Sequence, residues 1–297
     1  MSSLRWQHRP KLRQPTLVAA FEGWNDAGDA ASSSARWLAD RFGAEKIGVI
    51  NSEEYFDFTT TRPLVSTDDD GTRTLTWPDT EIWSASTPGA ADLVFLIGQE
   101  PHMRWRTYSK SVIEVAEALG VSMVLTFGAL LTDLPHTYPT MVTGTADDEA
   151  LVDRLDLIRS DYEGPTGIIG VLHDACRRAE ISSASLWATV PSYVSGAPSP
   201  KATLALVERA LTLLGLSLPT TDLEIAMADY ERQIDHLVSS DDDTAAYVAS
   251  LEDAARERAA FVEEEDDGDH ADDDGIDLAD TDPEALVEEV ERFLRGD

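Results

Sequence analysis

The chain has 297 residues, 42% of them hydrophobic, which suits one large domain with an appendage around a sizeable core. It carries 56 acidic against 23 basic residues, a formal charge of −33. That balance disfavours nucleic acid and anionic membranes as partners, because the phosphate term is repulsive. Cys176 is the single cysteine, so an intramolecular disulfide is excluded.

Residues 1–14 read as a loosely held N-terminal arm. Arg5, His8, Arg9, Lys11 and Arg13 interrupt any apolar stretch there, so a signal-peptide layout is not expected. The longest apolar runs, such as 93–97, fall far short of a membrane span. The expected location is the cytoplasm, with no membrane partner. Strands are expected at 17–21, 47–50, 93–97, 121–127, 141–143 and 185–190, several of them continuous apolar runs of the kind buried on both faces. Helical patterns alternate with them at 27–41, 105–119, 148–158 and 168–179, and Gly120 closes the second. Such alternation predicts an α/β fold with a mostly parallel sheet over residues 15–217. Residues 53–88 break the rhythm. Short strands at 61–66, 72–77 and 81–85 around an Asp-Asp-Asp-Gly turn read as an antiparallel insertion or edge hairpin.

After Pro200 the pattern becomes helical. A helix at 202–214 ends at Gly215, and amphipathic helices at 222–237 and 244–262 form a helical hairpin over 218–262. From Glu263 onward there are 17 acidic and 2 basic residues, leaving −18 on the first 262, so the body is acidic by itself. Residues 263–281 read as an acidic linker without a core, and 282–297 as a short helix that starts at Asp282-Pro283-Glu284.

Four loops carry residues with chemistry, three of them directly after a strand. The densest follows the strand at 17–21 and holds Glu22, Gly23, Asn25, Asp26, Gly28 and Asp29. It reads either as an active-site loop at the carboxyl end of a strand or as a glycine turn in which Asn25 or Asp26 caps the next helix. The second, Gly98-Gln99-Glu100-Pro101-His102, offers Glu100 and His102 as an acid/base pair, or is an exposed turn. The third, after 121–127, holds Gly128, Asp133, Pro135, His136 and Tyr138. The fourth, Gly164-Pro165-Thr166-Gly167, precedes a helix containing His173. Without a following lysine it is better read as close backbone packing than as a phosphate loop. The chain has no Gly-x-Ser-x-Gly elbow, His-Glu-x-x-His, paired-cysteine motif or Gly-x-Gly-x-x-Gly, so no metal or cofactor is expected. Cys176 reads as packed rather than nucleophilic.

Five segments in order resemble the proteasome assembly chaperone 2 family in its actinobacterial branch: Phe-Glu-Gly-Trp-Asn-Asp-Ala-Gly (21–28), Leu-Ile-Gly-Gln-Glu-Pro (96–101), Phe-Gly-Ala-Leu-Leu-Thr-Asp-Leu-Pro-His-Thr (127–137), Gly-Pro-Thr-Gly-Ile (164–168) and Ser-Leu-Trp-Ala-Thr-Val-Pro-Ser-Tyr (185–193). The resemblance implies a three-layer α/β fold like that of nucleoside phosphorylases. It further implies homo-oligomers, with trimers favoured, and proteasome subunits as partners. Such chaperones commonly dock through a terminal hydrophobic-tyrosine-any tripeptide, from which Arg295-Gly296-Asp297 departs. Two functions follow. One is a non-enzymatic, oligomeric, chaperone-like protein. The other is a small-molecule binder, or a hydrolase- or ligase-type enzyme, with an acidic crevice. That crevice would draw on Glu22, Asp26, Glu100 and Asp133 and would suit a cationic or polyhydroxy ligand, or a metal held by oxygen.

Overall fold

A computed structural model describes residues 3–68, 70–160 and 162–266. In chain order the elements are β1 (Leu4–Trp6), β2 (Thr16–Glu22), α1 (Ala30–Arg41), β3 (Glu45–Ile50), β4 (Leu64–Thr67), β5 (Arg73–Thr76), β6 (Thr80–Ala85), β7 (Leu93–Gln99) and α2 (Trp105–Leu119). They continue as β8 (Met123–Thr132), β9 (Val142–Ala146), α3 (Glu149–Leu155), α4 (Ile168–Arg178), β10 (Ser182–Pro191), α5 (Pro200–Leu214), α6 (Thr221–Ser239) and α7 (Asp242–Asp266).

Among the described residues, eight strands form one sheet in the order β1-β3-β6-β7-β2-β8-β10-β9. The centre, β7-β2-β8-β10, is parallel. Both flanks are antiparallel. Period-2 alternation sends Val18, Ala20, Phe95, Leu125, Phe127 and Leu186 to one face, where α1 and α5 cover them. Leu17, Ala19, Phe21, Val94, Leu96 and Val124 go to the other, under α2 and α4. The result is the expected three-layer α/β fold, with strands of the parallel centre buried on both sides.

The helices start and stop where local chemistry dictates. Ser199 accepts a bond from the Ala202 N–H and Pro200 occupies the first turn of α5. Gly120 and Gly215 close α2 and α5 in the left-handed conformation. The helix expected to reach 158 stops at Leu155. Asp156 turns left-handed (φ 51°) there, and the chain then folds back so that the Ile158 N–H donates to the Gly144 carbonyl at 2.9 Å. β8 runs past Phe127 to Thr132, because β10 pairs with it residue for residue as far as Pro191 opposite Thr132.

Two expectations need correcting. The arm is not loose. β1 pairs with β3, Leu4 opposite Ile50, and Gly48 permits the close approach, since a Cβ there would lie 2.7 Å from the Arg5 carbonyl oxygen. Further along, the Arg13 N–H and guanidinium donate to the buried Asp92 carboxylate at 2.8 and 2.6 Å. The segment 53–88 also divides. Only β4 and β5 form the free-standing hairpin, with all their residues exposed. β6 enters the main sheet between β3 and β7, where Ile82 is fully buried.

Residues to Asp253 form one compact unit, in which α6 lies against α5 through Leu223 and Met227. Residues from Ala254 belong to a second unit, described only as the distal part of α7, to Asp266. The rest of the expected acidic linker and the helix at 282–297 lie outside the described residues. No described helix is long and apolar enough to cross a membrane.

Asp92 locks the arm to the start of β7, and it also accepts from the Thr87 N–H at 3.2 Å. The hydrogen bond from Arg13 holds its carboxyl below the usual range. A lowered native pKa adds stability that is present above the unfolded value, about 3.9, and is lost as pH falls through the native one. Asp92→Ala strands two backbone N–H groups, and urea unfolding at pH 7 is expected to show a loss of about 2 kcal/mol. That loss should shrink at pH 3. An unchanged midpoint at pH 7 would contradict the assignment.

Candidate functional site

The loop after β2 leaves the sheet and crosses to β8. The Ala129 N–H donates to the Asn25 carbonyl at 2.8 Å, and Asp26 bridges to Ala129. Gly23 supports the turn with φ 121°, which a side chain rarely adopts. A single 3₁₀ turn, 27–29, with Gly28 and Asp29 both left-handed, then feeds α1.

Asp26 caps that helix from a distance. Its Oδ1 accepts from the N–H groups of Ala31 at 2.7 Å and Ser32 at 3.1 Å, two donors that the first turn leaves orphaned. The residue is only 5% exposed, and among the described residues its Oδ2 has no hydrogen-bond partner. Burial pushes its carboxyl above the ordinary value, against the opposing pull of the bonds from Ser32 and Ala31.

Glu100 does for α4 what Asp26 does for α1. Its Oε1 accepts from the Ile168 N–H at 2.9 Å and from Asn25 Nδ2 at 3.2 Å. A carboxylate at a helix N-terminus is favoured by the helix dipole as well as by the bond. Gly167 lies so close that a Cβ would come 2.4 Å from Asn25 Nδ2 and 2.9 Å from Glu100 Oε1. The structure therefore brings Asn25, Glu100 and Gly167 together, with Gly23 3.5 Å from the Glu100 Cβ by the same measure.

The other candidates stand elsewhere. Glu22 pairs with Arg36 and accepts from Gln99. Gly98 packs against Thr80 on β6. His102 joins the 51–61 loop, where its Nδ1 accepts from the Asp57 N–H at 2.9 Å and its Nε2 lies 3.3 Å from the Thr61 hydroxyl. Asp133 accepts from the Ser192 hydroxyl at 3.0 Å. His136 is buried between the Tyr193 hydroxyl, 2.6 Å from Nδ1, and Asp235 on α6, 2.9 Å from Nε2. Its carbonyl accepts from Lys201. Gly164 has φ 157° and abuts the Tyr162 hydroxyl. Cys176 lies on the buried face of α4, and burial pushes its thiol up to about 12, far from a nucleophile's range.

A cavity of about 420 Å³ opens beside Asp26. Gly23, Asp26, Gly28 and Asp29 of the expected loop line it. Trp24, Leu130, Leu131 and the turn 195–197 supply much of the rest. These were not legible as a group, because they come from three separate segments. The signal available was a tryptophan set in a polar turn. Among the described residues no cluster of three metal-ligating side chains occurs.

Gly167→Ala is expected to lower stability by about 1–3 kcal/mol, since the new methyl would displace Asn25 or Glu100. Gly196→Ala is expected to be neutral, because nothing lies within 4 Å of a Cβ there. Thermal and chemical unfolding of the two variants would check the contrast, and equal effects would contradict the packing.

The family model for the PAC2 family matches residues 20–238. A PAC2 family protein from Streptomyces avermitilis is 42% identical, with a TM-score of 0.73 over 79% of this chain and 99% of that one. A Mycobacterium tuberculosis proteasome-assembly chaperone homologue is likewise 42% identical, with a TM-score of 0.71 over 78% and 99%. PbaB of Pyrococcus furiosus, an archaeal proteasome activator, shares the fold at 16% identity, with a TM-score of 0.66 over 79% and 97%. No curated protein matches. The matched span contains the β2 loop, Glu100, Gly167 and their partners, and the chain belongs to the PAC2 family.

Proposed function

We propose that this protein is a homo-oligomeric binding protein of the cytoplasm that acts on proteasome subunits, in the manner of an assembly chaperone. The observation that carries the reading is the hairpin β4–β5. It stands apart from the main sheet and exposes Leu64 (71%), Val65 (54%), Leu75 (48%) and the adjoining Trp77 (43%). A two-stranded ribbon is marginal alone in water, and an exposed apolar patch marks a surface meant to be covered. A second copy of the chain covers it in this reading, and a trimer is the favoured product.

Two further points support binding rather than chemistry as the principal activity. Glu22, Glu100 and Asp133 are each engaged in internal hydrogen bonds or ion pairs. The matching Mycobacterium protein bears the description of a proteasome-assembly chaperone homologue. An acidic body is suited to basic partner surfaces. The outer side of α6, where Ile225 and Leu237 are exposed, offers such a partner an apolar foothold.

Mixing the full chain with unassembled proteasome core subunits should at least double the rate at which core particles appear on native gels. No binding and no change in rate would refute the function. Light scattering should report a trimer that Leu64→Asp with Leu75→Asp dissociates at micromolar concentration. A wild-type monomer would refute the oligomer.

A further inference from the structure

Two exposed apolar surfaces stand at the same end of the sheet. β3 pairs antiparallel with β6, and β6 with β7, so β3 runs in the same direction as β7 and β2. The segment 51–79 therefore leaves the sheet at the end that carries Glu22 and Gln99. It includes the hairpin β4–β5. The second surface is the cleft beside the β2 loop, with Trp24, Leu130 and Leu131 in its lining. Leu64 is 71% exposed and Trp24 67%, so within one chain neither surface covers the other.

The hairpin is fixed at its base. The Trp77 ring meets Phe58 edge to face, with centroids 4.9 Å apart. Asp79 accepts from the Ser52 N–H and hydroxyl, each at 2.7 Å, and His102 holds the Asp57 N–H. A segment held in this way loses little freedom on binding. Register places Val65 opposite Leu75 and Thr67 opposite Arg73, so these four share one face of the ribbon. Charge sets the ribbon apart as well. Outside the 68–70 tip, residues 62–77 hold Arg62 and Arg73 and no acid, in a chain of −33. The cleft is the converse, with Asp29 exposed and no Lys, Arg or His in its lining.

We propose that the hairpin of one copy seats in this cleft of the next, with Val65 and Leu75 against Trp24, Leu130 and Leu131, and Arg73 towards Asp29. The inference rests on the homo-oligomer reading above and names the surface that covers the hairpin. A contact between two different surfaces is heterologous, so copies join head to tail, and a closed ring uses every hairpin and every cleft once. Two apolar patches exposed on the lone chain are then buried together. Acidic bodies repel one another, and the arginine face of the ribbon offsets that repulsion where they meet.

The test is disulfide trapping in the full chain. Leu75→Cys and Leu131→Cys in one chain, oxidised with copper phenanthroline, should give linked dimers and trimers on non-reducing gels. Neither single variant should do so, since Cys176 is buried. In light scattering, Leu131→Asp should weaken the oligomer about tenfold, as Leu75→Asp does, and Arg73→Glu severalfold. Met141→Asp, exposed beside β9, should leave it intact. Trp24→Asp covers the case in which Leu131→Asp does not fold. A wild-type monomer would refute the oligomer itself. An oligomer that Leu75→Asp dissociates, but folded Leu131→Asp and Trp24→Asp do not, would overturn this docking and leave the oligomer standing. So would single-variant crosslinks as strong as those of the double variant.

Discussion

The hydrogen bonds of one carboxylate hold the site region together. Glu100, at the end of β7, accepts from the first N–H of α4 and from Asn25 in the loop after β2. Three elements on different parts of the chain meet at that oxygen, and Gly167 has no Cβ so that they can. Asn25 in turn holds the β2 loop against β8 through its carbonyl. Asp26, the next residue, then stands where it can reach the N-terminus of α1. Removing the Glu100 carboxylate would leave a buried helix N-terminus and a buried amide unmatched, each costly in a low-dielectric site.

This changes the meaning of the acidic residues at the strand ends. Acids in loops after strands suggest acid/base chemistry, but two of them here serve as helix anchors. The dipole logic that suits a ligand phosphate at a helix start is satisfied by the protein's own carboxylates. Of these acids among the described residues, Asp26 is the one that both lines the cavity and is buried. Elsewhere the surface displays apolar side chains on β4–β5, on α6 and at Trp24.

Much of the fold was legible because its strands are self-identifying. The run Leu-Val-Ala-Ala-Phe of β2 and the run Leu-Val-Phe-Leu-Ile of β7 are apolar throughout, as strands covered on both faces must be. β1 was not legible, because three residues flanked by basic side chains carry no period, and its place is set by the edge of β3. β6 was read into the insertion because its strand pattern gives no sign of which neighbours it joins. The last five residues of β8 resembled a loop because two of them, Leu130 and Leu131, lose their cover beyond the helix layer.

The site was legible as a set of residues but not as an arrangement. Asn25, Glu100 and Gly167 were each singled out, yet 75 and 68 positions separate the partners of their bonds. Only the strand order brings them together. His102 and His136 follow equally polar strand ends, but the 51–61 loop and α6 claim them, and no local pattern announces that.

The central claim is that Glu100 couples the β2 loop to α4. A double-mutant cycle on Asn25→Ala and Glu100→Ala, by denaturant unfolding at pH 7, measures that coupling directly. The account predicts a coupling of about 1 kcal/mol or more, as for a hydrogen bond to a charged acceptor. Strict additivity of the two losses would contradict it.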